Sequence, residues 1–112
     1  MYAIYMTRKK LAQIEKRIEK IKKELAVIAK MRPGTLSKQY KDPVMKKGEY
    51  YQLSYTHKMK SRTEYIRPVF LEDIKNQTKN YKSFKKLIEL WIDLSIEFSR
   101  LQMRLAKDEN KK

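Results

Sequence analysis

Residues 7–30 place their large apolar side chains at a regular helical spacing. These side chains recur at alternating intervals of three and four and form one narrow heptad stripe, made of Leu11, Ile14, Ile18, Ile21, Leu25 and Ile28. Thr7 is a suitable N-cap, and Pro33 with Gly34 stops the pattern. The spacing therefore predicts an amphipathic helix over 7–30.

The middle of the chain loses this period and then adopts a different one. Residues 31–48 show no clear pattern and contain Pro43 and Gly48, which predicts a loop. Residues 49–67 are rich in Tyr, Thr, Ile and Leu that alternate with polar residues, which is typical of a β-hairpin. Its turn is predicted near 58–61.

The turn contains no Asn-Gly or Asp-Gly pair, so the sequence leaves the register of the hairpin open. A loop of two or four residues would pair Leu53 with Ile66. One face would then hold the polar side chains Gln52, Ser54, Thr56, Thr63, Tyr65 and Arg67. A three-residue loop would place Leu53 near Tyr65. Because a slip of one residue exchanges the two faces of a strand, the pattern does not decide which tyrosines are buried.

The last segment, 69–107, predicts a long helix that is apolar over most of its circumference. Its weakest part is 76–80, and the sequence leaves open whether the helix is kinked there. A helix of this kind needs more than one partner, so we predict an interface with a second copy of the chain through Ile88, Trp91, Ile92, Ser95, Ile96 and Ser99.

Together these elements predict an α+β fold that is mainly helical. Two long antiparallel helices would flank a β-hairpin in one domain of residues 1–112. No apolar run is long enough to cross a bilayer, and the N-terminus lacks the features of a signal peptide. We expect a cytoplasmic protein that forms a homodimer and does not act on membranes.

Charge changes this picture most. Lys and Arg number 28 and Asp and Glu number 13, so the net charge is +15. Such a balance favours a polyanionic partner, and we expect nucleic acid, DNA rather than RNA. The predicted contact residues lie in the middle of the chain: Arg32, Lys38, Lys46, Lys47, Tyr50, Lys58, Lys60, Arg62 and Arg67.

Little in the sequence supports catalysis or metal binding. The chain has no cysteine and one histidine, His57, which we expect to be an ordinary exposed turn residue. Glu89, Asp93 and Glu97 form a ladder on one helix face, which suits either a metal site or ion pairs. We favour pairing with the first helix, which offers Lys9, Lys16, Lys20 and Lys23. The expectation is a protein without cofactor, metal or enzymatic activity.

Four stretches carry a resemblance: residues 32–36 (RPGTL), 50–55 (YYQLSY), 61–68 (SRTEYIRP) and 80–84 (NYKSF). They resemble a family of uncharacterised small proteins encoded near prokaryotic transposons and integrases. The resemblance implies a mobile-element setting and no mechanism. Members of that family usually carry a Cys-rich insert before the second stretch, where this chain has only KDPVMKKGE. The hairpin is also similar to strand–turn–strand units with which some tyrosine integrases contact DNA.

Two functions from different classes follow. The first is a small nucleic-acid-binding protein that contacts DNA phosphates through a basic hairpin and the adjoining loop. The alternative is a helical adaptor of a mobile element or virus, which would bind another protein through its apolar C-terminal helix.

Overall fold

Two long helices and a three-stranded antiparallel sheet make up the fold. A computed structural model describes residues 2–110, so Met1, Lys111 and Lys112 of the predicted domain lie outside the described residues. The elements are α1 (Tyr2–Ala26), β1 (Thr35–Asp42), β2 (Lys47–His57), β3 (Lys60–Ile66), a 3₁₀ turn (Pro68–Phe70) and α2 (Leu71–Glu109). The predicted α+β class is confirmed.

The chain divides into two compact units. The helical unit combines the chain up to Val27 with the chain from Phe84 onward, and the sheet unit is Ile28–Ser83. In the helical unit α1 and α2 run in opposite directions, because Arg8 contacts Glu109 while Lys22 lies over Trp91. No helix within residues 2–110 is both long and apolar enough to cross a membrane.

The first helix begins and ends earlier than predicted. It starts by Tyr2, and Thr7 is not its N-cap: the Thr7 hydroxyl donates to the carbonyl of Ala3 inside the helix, at 2.9 Å. It ends at Ala26 because the following backbone bonds to α2 instead. The amide of Arg32 donates to the carbonyl of Gln77, and the Asn80 side chain donates to the carbonyl of Lys30.

These bonds also explain why α2 is unbroken through 76–80. Asn and Thr are weak helix formers, but here they have tertiary partners. Thr78 is buried, with its hydroxyl bonded to the carbonyl of Lys75, and Asn80 holds the segment before β1. Tertiary contacts therefore outweigh local propensity at this point.

The predicted loop over 31–48 is wrong between Thr35 and Asp42, where the chain forms β1. This strand has only one aliphatic side chain, Leu36, so its alternation was hidden among polar residues. It pairs with β2 so that Leu36 lies opposite Leu53. The sheet order is β1-β2-β3, with β2 in the centre.

The hairpin of β2 and β3 has a two-residue turn at Lys58 and Met59, between the paired residues His57 and Lys60. The register in which Leu53 pairs with Ile66 differs from the observed register by two residues. Leu53 lies opposite Glu64, and Ile66 lies opposite Tyr51. An even displacement keeps the faces, so five of the six polar side chains predicted to share one face do so, while the sixth, Arg67, lies beyond the end of β3.

Each unit has its own small core. In the helical unit Ile14, Ile21 and Leu94 are buried between the helices. In the sheet unit Leu53, Ile66 and Ile74 are buried between the sheet and the start of α2, surrounded by Leu36, Tyr51 and Tyr55. We call the side of the sheet that carries Leu53 and Ile66 the covered face, and the opposite side the open face.

Candidate nucleic-acid interface

The open face of the sheet consists of hydroxyl, amide and phenol groups. Strand register places on it Thr35, Ser37, Gln39, Lys41, Tyr50, Gln52, Ser54, Thr56, Ser61, Thr63 and Tyr65. All of these side chains are exposed or half-buried. Cross-strand contacts order them: the hydroxyls of Thr56 and Ser61 lie 2.8 Å apart, and the rings of Tyr50 and Tyr65 are 6.3 Å apart.

No carboxylate lies on the open face of the three described strands. The sheet and its turns hold three acidic residues, Asp42, Glu49 and Glu64, and register places all three on the opposite side. Each is already engaged. Asp42 accepts from the amide of Met45, Glu49 pairs with Lys38, and Glu64 pairs with Arg32. The open face therefore offers hydrogen-bond donors and the cation of Lys41 without the repulsion that carboxylates exert on phosphate.

The predicted contact residues fall into three groups. Arg32 and Lys38 are held in ion pairs within the chain, with N–O distances of 2.9 and 2.7 Å. Tyr50 lies on the open face. The remaining six have no ion-pair partner within residues 2–110, namely Lys46, Lys47, Lys58, Lys60, Arg62 and Arg67.

The free lysines do not form a single patch. Lys46 and Lys47 lie at the β1–β2 turn, and Lys58 and Lys60 lie at the β2–β3 turn, which is at the other end of the sheet. The 11 residues of β2 separate the two turns, which is roughly 33 Å at about 3.3 Å per residue. Lys41, which is not among the nine predicted contact residues, lies on the open face beside the first turn.

Both turns also expose apolar side chains at their tips. Met59 is 98 % exposed between Lys58 and Lys60, and Val44 is 89 % exposed close to Lys46. Lys58 and Met59 adopt positive φ angles of 52° and 65°, a backbone conformation that is strained for residues other than Gly and Asn. Such a turn normally favours Asn-Gly. The geometry of the turn therefore does not explain why Lys and Met occupy these two positions.

Arg32 has a structural position on the covered face. Its guanidinium donates to Glu64, and its carbon Cζ lies 4.9 Å from the ring centre of Tyr55. The Tyr55 hydroxyl also donates to Glu64, at 2.8 Å. The hydrogen bond from Arg32, followed by that from Tyr55, lowers the pKa of Glu64, and the same bonds raise the pKa of Arg32 and of Tyr55. This cluster ties β2, β3 and the segment before β1 together.

Removing the charge of Glu64 should destabilise the protein in a pH-dependent manner. Glu64→Gln should lower the free energy of unfolding by about 0.5–1 kcal/mol near pH 7, because it removes a charge-assisted pair that solvent partly screens, the Glu64 side chain being 43 % exposed. The pKa of Glu64 is lowered by folding, so its contribution is fully present above the unfolded-state pKa of about 4.3. It is lost as the pH falls through the folded-state pKa.

Urea unfolding followed by circular dichroism measures this at about pH 7 and about pH 3. The gap between Glu64→Gln and the unmodified chain should shrink at the lower pH. The control is Glu72→Gln, since Glu72 has an 81 % exposed side chain and pairs only with Lys75 one turn away. It should change stability by less than about 0.5 kcal/mol. A gap of equal size at both pH values would contradict the role of the charge.

The carboxylate ladder of α2 takes part in an ion pair, and His57 lies at the end of β2. Within residues 2–110 no group of three or more His, Asp, Glu or Cys side chains comes together. Glu97 pairs with Lys10, at 3.4 Å, rather than with one of the four lysines that the sequence suggested. His57 is exposed at the end of β2.

The six residues of α2 that were predicted to form an interface with a second copy of the chain lie together in the helical unit. All six line an apolar groove of about 510 Å³ together with Arg100 and Met103. Trp91 lies at the border of the groove, since it also packs against the core of the helical unit. The ammonium nitrogen of Lys22 lies 5.5 Å from the centre of its ring.

Comparison with known protein families gives one match. The model of a domain of unknown function, DUF6788, matches residues 11–76, which is more than half of the chain. The chain belongs to the DUF6788 family. No curated protein and no solved structure matches it. The resemblance to an uncharacterised family is thereby confirmed, while the association with transposons and integrases stays a prediction.

The DUF6788 match covers most of α1, the whole sheet and the first turns of α2. Three of the stretches that carried the resemblance lie within it. Their residues include Arg32, Tyr55 and Glu64 of the ion cluster and Gly34, which contacts Leu53. The groove on α2 lies beyond the matched residues.

Proposed function

We propose that this DUF6788 protein binds nucleic acid, duplex DNA in preference to RNA, through the open face of its sheet. The observation that supports this most directly is the open face itself, which is free of carboxylates and carries Lys41, while the turns at the two ends of the sheet add Lys46 and Lys58, which have no ion-pair partner within residues 2–110. Hydroxyl, amide and phenol groups can contact phosphates and base edges, and lysines neutralise phosphate charge.

The choice of DNA over RNA rests on groove dimensions. The major groove of B-form DNA admits a β-ribbon, and proteins are known that read it with strands. The major groove of A-form RNA is too narrow for side chains to read. A sheet whose contacts are spread over both of its ends suits the wider groove.

The exposed turn at Lys58 and Met59 is consistent with a binding role. Strained backbone persists where function requires particular side chains. Apolar side chains at an exposed tip can also insert between base steps, as methionine does in proteins that bind the minor groove. In this proposal the β2–β3 turn contacts DNA directly.

Fluorescence anisotropy with a labelled DNA duplex tests the proposal. The same sequence as single-stranded DNA and as duplex RNA provides the comparison, and each is titrated at about 50 mM and about 200 mM salt. The expected order places duplex DNA first, with affinity that falls steeply as salt is added. Absence of binding at the lower salt, or affinity that salt does not change, would refute the proposal.

Replacing the strained turn should separate stability from binding. The double variant Lys58→Asn with Met59→Gly should raise the free energy of unfolding by about 1 kcal/mol, because the new residues suit the positive φ angles. Affinity for duplex DNA should fall roughly 3- to 10-fold, since one phosphate contact is lost.

Both quantities are measured on the same preparations, by urea unfolding and by anisotropy. The matched control is Val44→Gly at the other turn, which leaves every lysine in place. It should reduce DNA affinity less than the double variant does. A double variant that binds DNA as tightly as the unmodified chain would exclude the β2–β3 turn from the interface.

A further inference from the structure

The helical unit leaves an apolar groove exposed along α2. Within it Ile92 is 52 % and Ile96 46 % exposed, and Met103 at its end is 63 % exposed. The groove has a volume of about 510 Å³. Isoleucines at this density on one helix face are costly to leave in water and mark an interaction surface.

A second heptad seam on α2 passes through the groove, whose lining includes the first four residues of the seam but not Gln102 or Ala106. The seam runs with intervals of four and three through Ile88, Ile92, Ser95, Ser99, Gln102 and Ala106. It is separate from the seam that packs on α1, which contains Leu87, Leu94 and Phe98. A helix with two seams packs on two partners, and the small side chains of Ser95 and Ser99 allow a second helix to approach closely.

Charges beside the second seam select the partner and its direction. Glu89 lies near the start of the seam, and Arg100 and Lys107 lie on the same flank toward its end, at intervals of 11 and seven residues. None of the three has an ion-pair partner within residues 2–110. A copy in the same direction would turn this flank toward the opposite flank of the partner's α2, where Leu87 and Phe98 offer no charge of opposite sign. A reversed copy brings Glu89 to the partner's Lys107.

We infer that a second copy of this chain binds in the groove, with its α2 antiparallel to the first. Heptad layers then put Ser95 opposite the partner's Ser99 at the centre, and Ile88 opposite the partner's Ala106 at each end. The interface is closed by a two-fold axis, so the same residues serve both chains. This inference does not depend on nucleic-acid binding.

Sedimentation equilibrium of the full chain, without DNA, tests the association. The expected mass is that of a dimer, with a dissociation constant below about 10 µM. Ile92→Glu should raise that constant at least about 100-fold, because a charge would be buried in the seam. The control is Val27→Glu, which places the same charge at a residue 82 % exposed in the same unit and should leave the dimer intact.

Folding of the variants is checked by circular dichroism, and Ile96→Gln provides a milder second change in the groove. It should raise the dissociation constant about 10-fold. A monomer at about 100 µM would overturn the inference and favour a different protein as the occupant of the groove. A dimer that neither groove variant weakens would overturn it as well.

Cross-linking tests the direction, and it is simple here because the chain contains no cysteine. Chains with Ile88→Cys are mixed with chains with Ala106→Cys. In an antiparallel dimer a disulfide can form between position 88 of one chain and position 106 of the other. Two chains that both carry the cysteine at position 88 hold their cysteines about 27 Å apart, at about 1.5 Å per residue, which is too far for a disulfide. Disulfides that form mainly between like chains would overturn the antiparallel arrangement.

Discussion

Neutralising four lysines of the sheet turns should reduce the affinity for duplex DNA by roughly 1000-fold at about 0.1 M salt. The variant replaces Lys46, Lys47, Lys58 and Lys60 with Gln, which keeps the length and polarity of the side chains. Each lysine that contacts a phosphate releases condensed counterions, and the four contributions add. The slope of log affinity against log salt should become shallower by about 3.6, from about 0.9 per contact.

A matched variant decides whether position or total charge is responsible. Gln at Lys9, Lys16, Lys20 and Lys23 removes the same four charges from α1, and none of these lysines has an ion-pair partner within the described part of the chain, residues 2–110. This variant should lose less than about 10-fold in affinity and keep its salt slope. Equal losses in both variants would mean that the basic surface acts diffusely, and the sheet would have no special role.

The second large effect is expected at Gly34. Its φ angle is 136°, a conformation open almost only to glycine. A Cβ atom at this position would lie 2.7 Å from Cδ1 of Leu53 and 3.0 Å from the carbonyl oxygen of Ser54. Leu53 is fully buried at the centre of the sheet core, so it has no room to move away.

Gly34→Ala should therefore lower the free energy of unfolding by about 3–5 kcal/mol, combining backbone strain with overpacking. Urea unfolding followed by circular dichroism measures the loss. Gly48→Ala is the control. Its φ angle is also positive, 70°, but the atoms nearest to the new Cβ would be Cβ, Cγ and Cδ of Lys41, at 3.1–3.4 Å, so the approach is less close than at Gly34. The expected cost there is about 1 kcal/mol. Comparable losses in the two variants would refute the role of the contact with Leu53.

The sequence predicted the parts of the fold that rest on periodicity. Ile14 and Ile21 repeat at a helical interval in α1, as Leu87, Leu94 and Leu101 do in α2, and both helices follow from such patterns. Strand β1 was not predictable in this way, because its position depends on pairing with β2 rather than on its own composition. The helix ends were also set by distant partners, such as Gln77 for the segment before β1.

The candidate site was predicted in composition but not in arrangement. Basic residues are visible in any sequence, whereas their pairing is not. Arg32 looked like a phosphate contact until Glu64, 32 residues away, was seen to hold it. The grouping of polar side chains opposite Leu53 was correct, because an even shift in register leaves faces unchanged. The lysines divide between two turns because β1 pairs with β2, and the sequence did not predict β1.

The position of the unpaired lysines at the two turns has a consequence before any contact is made. All three carboxylates of the sheet are on the covered face, and the unpaired lysines are at the turns. In the field of a polyanion such a molecule experiences a torque as well as an attraction. It would be turned during its diffusional approach, so that a larger fraction of encounters with DNA begins with one of the two basic turns toward the phosphates.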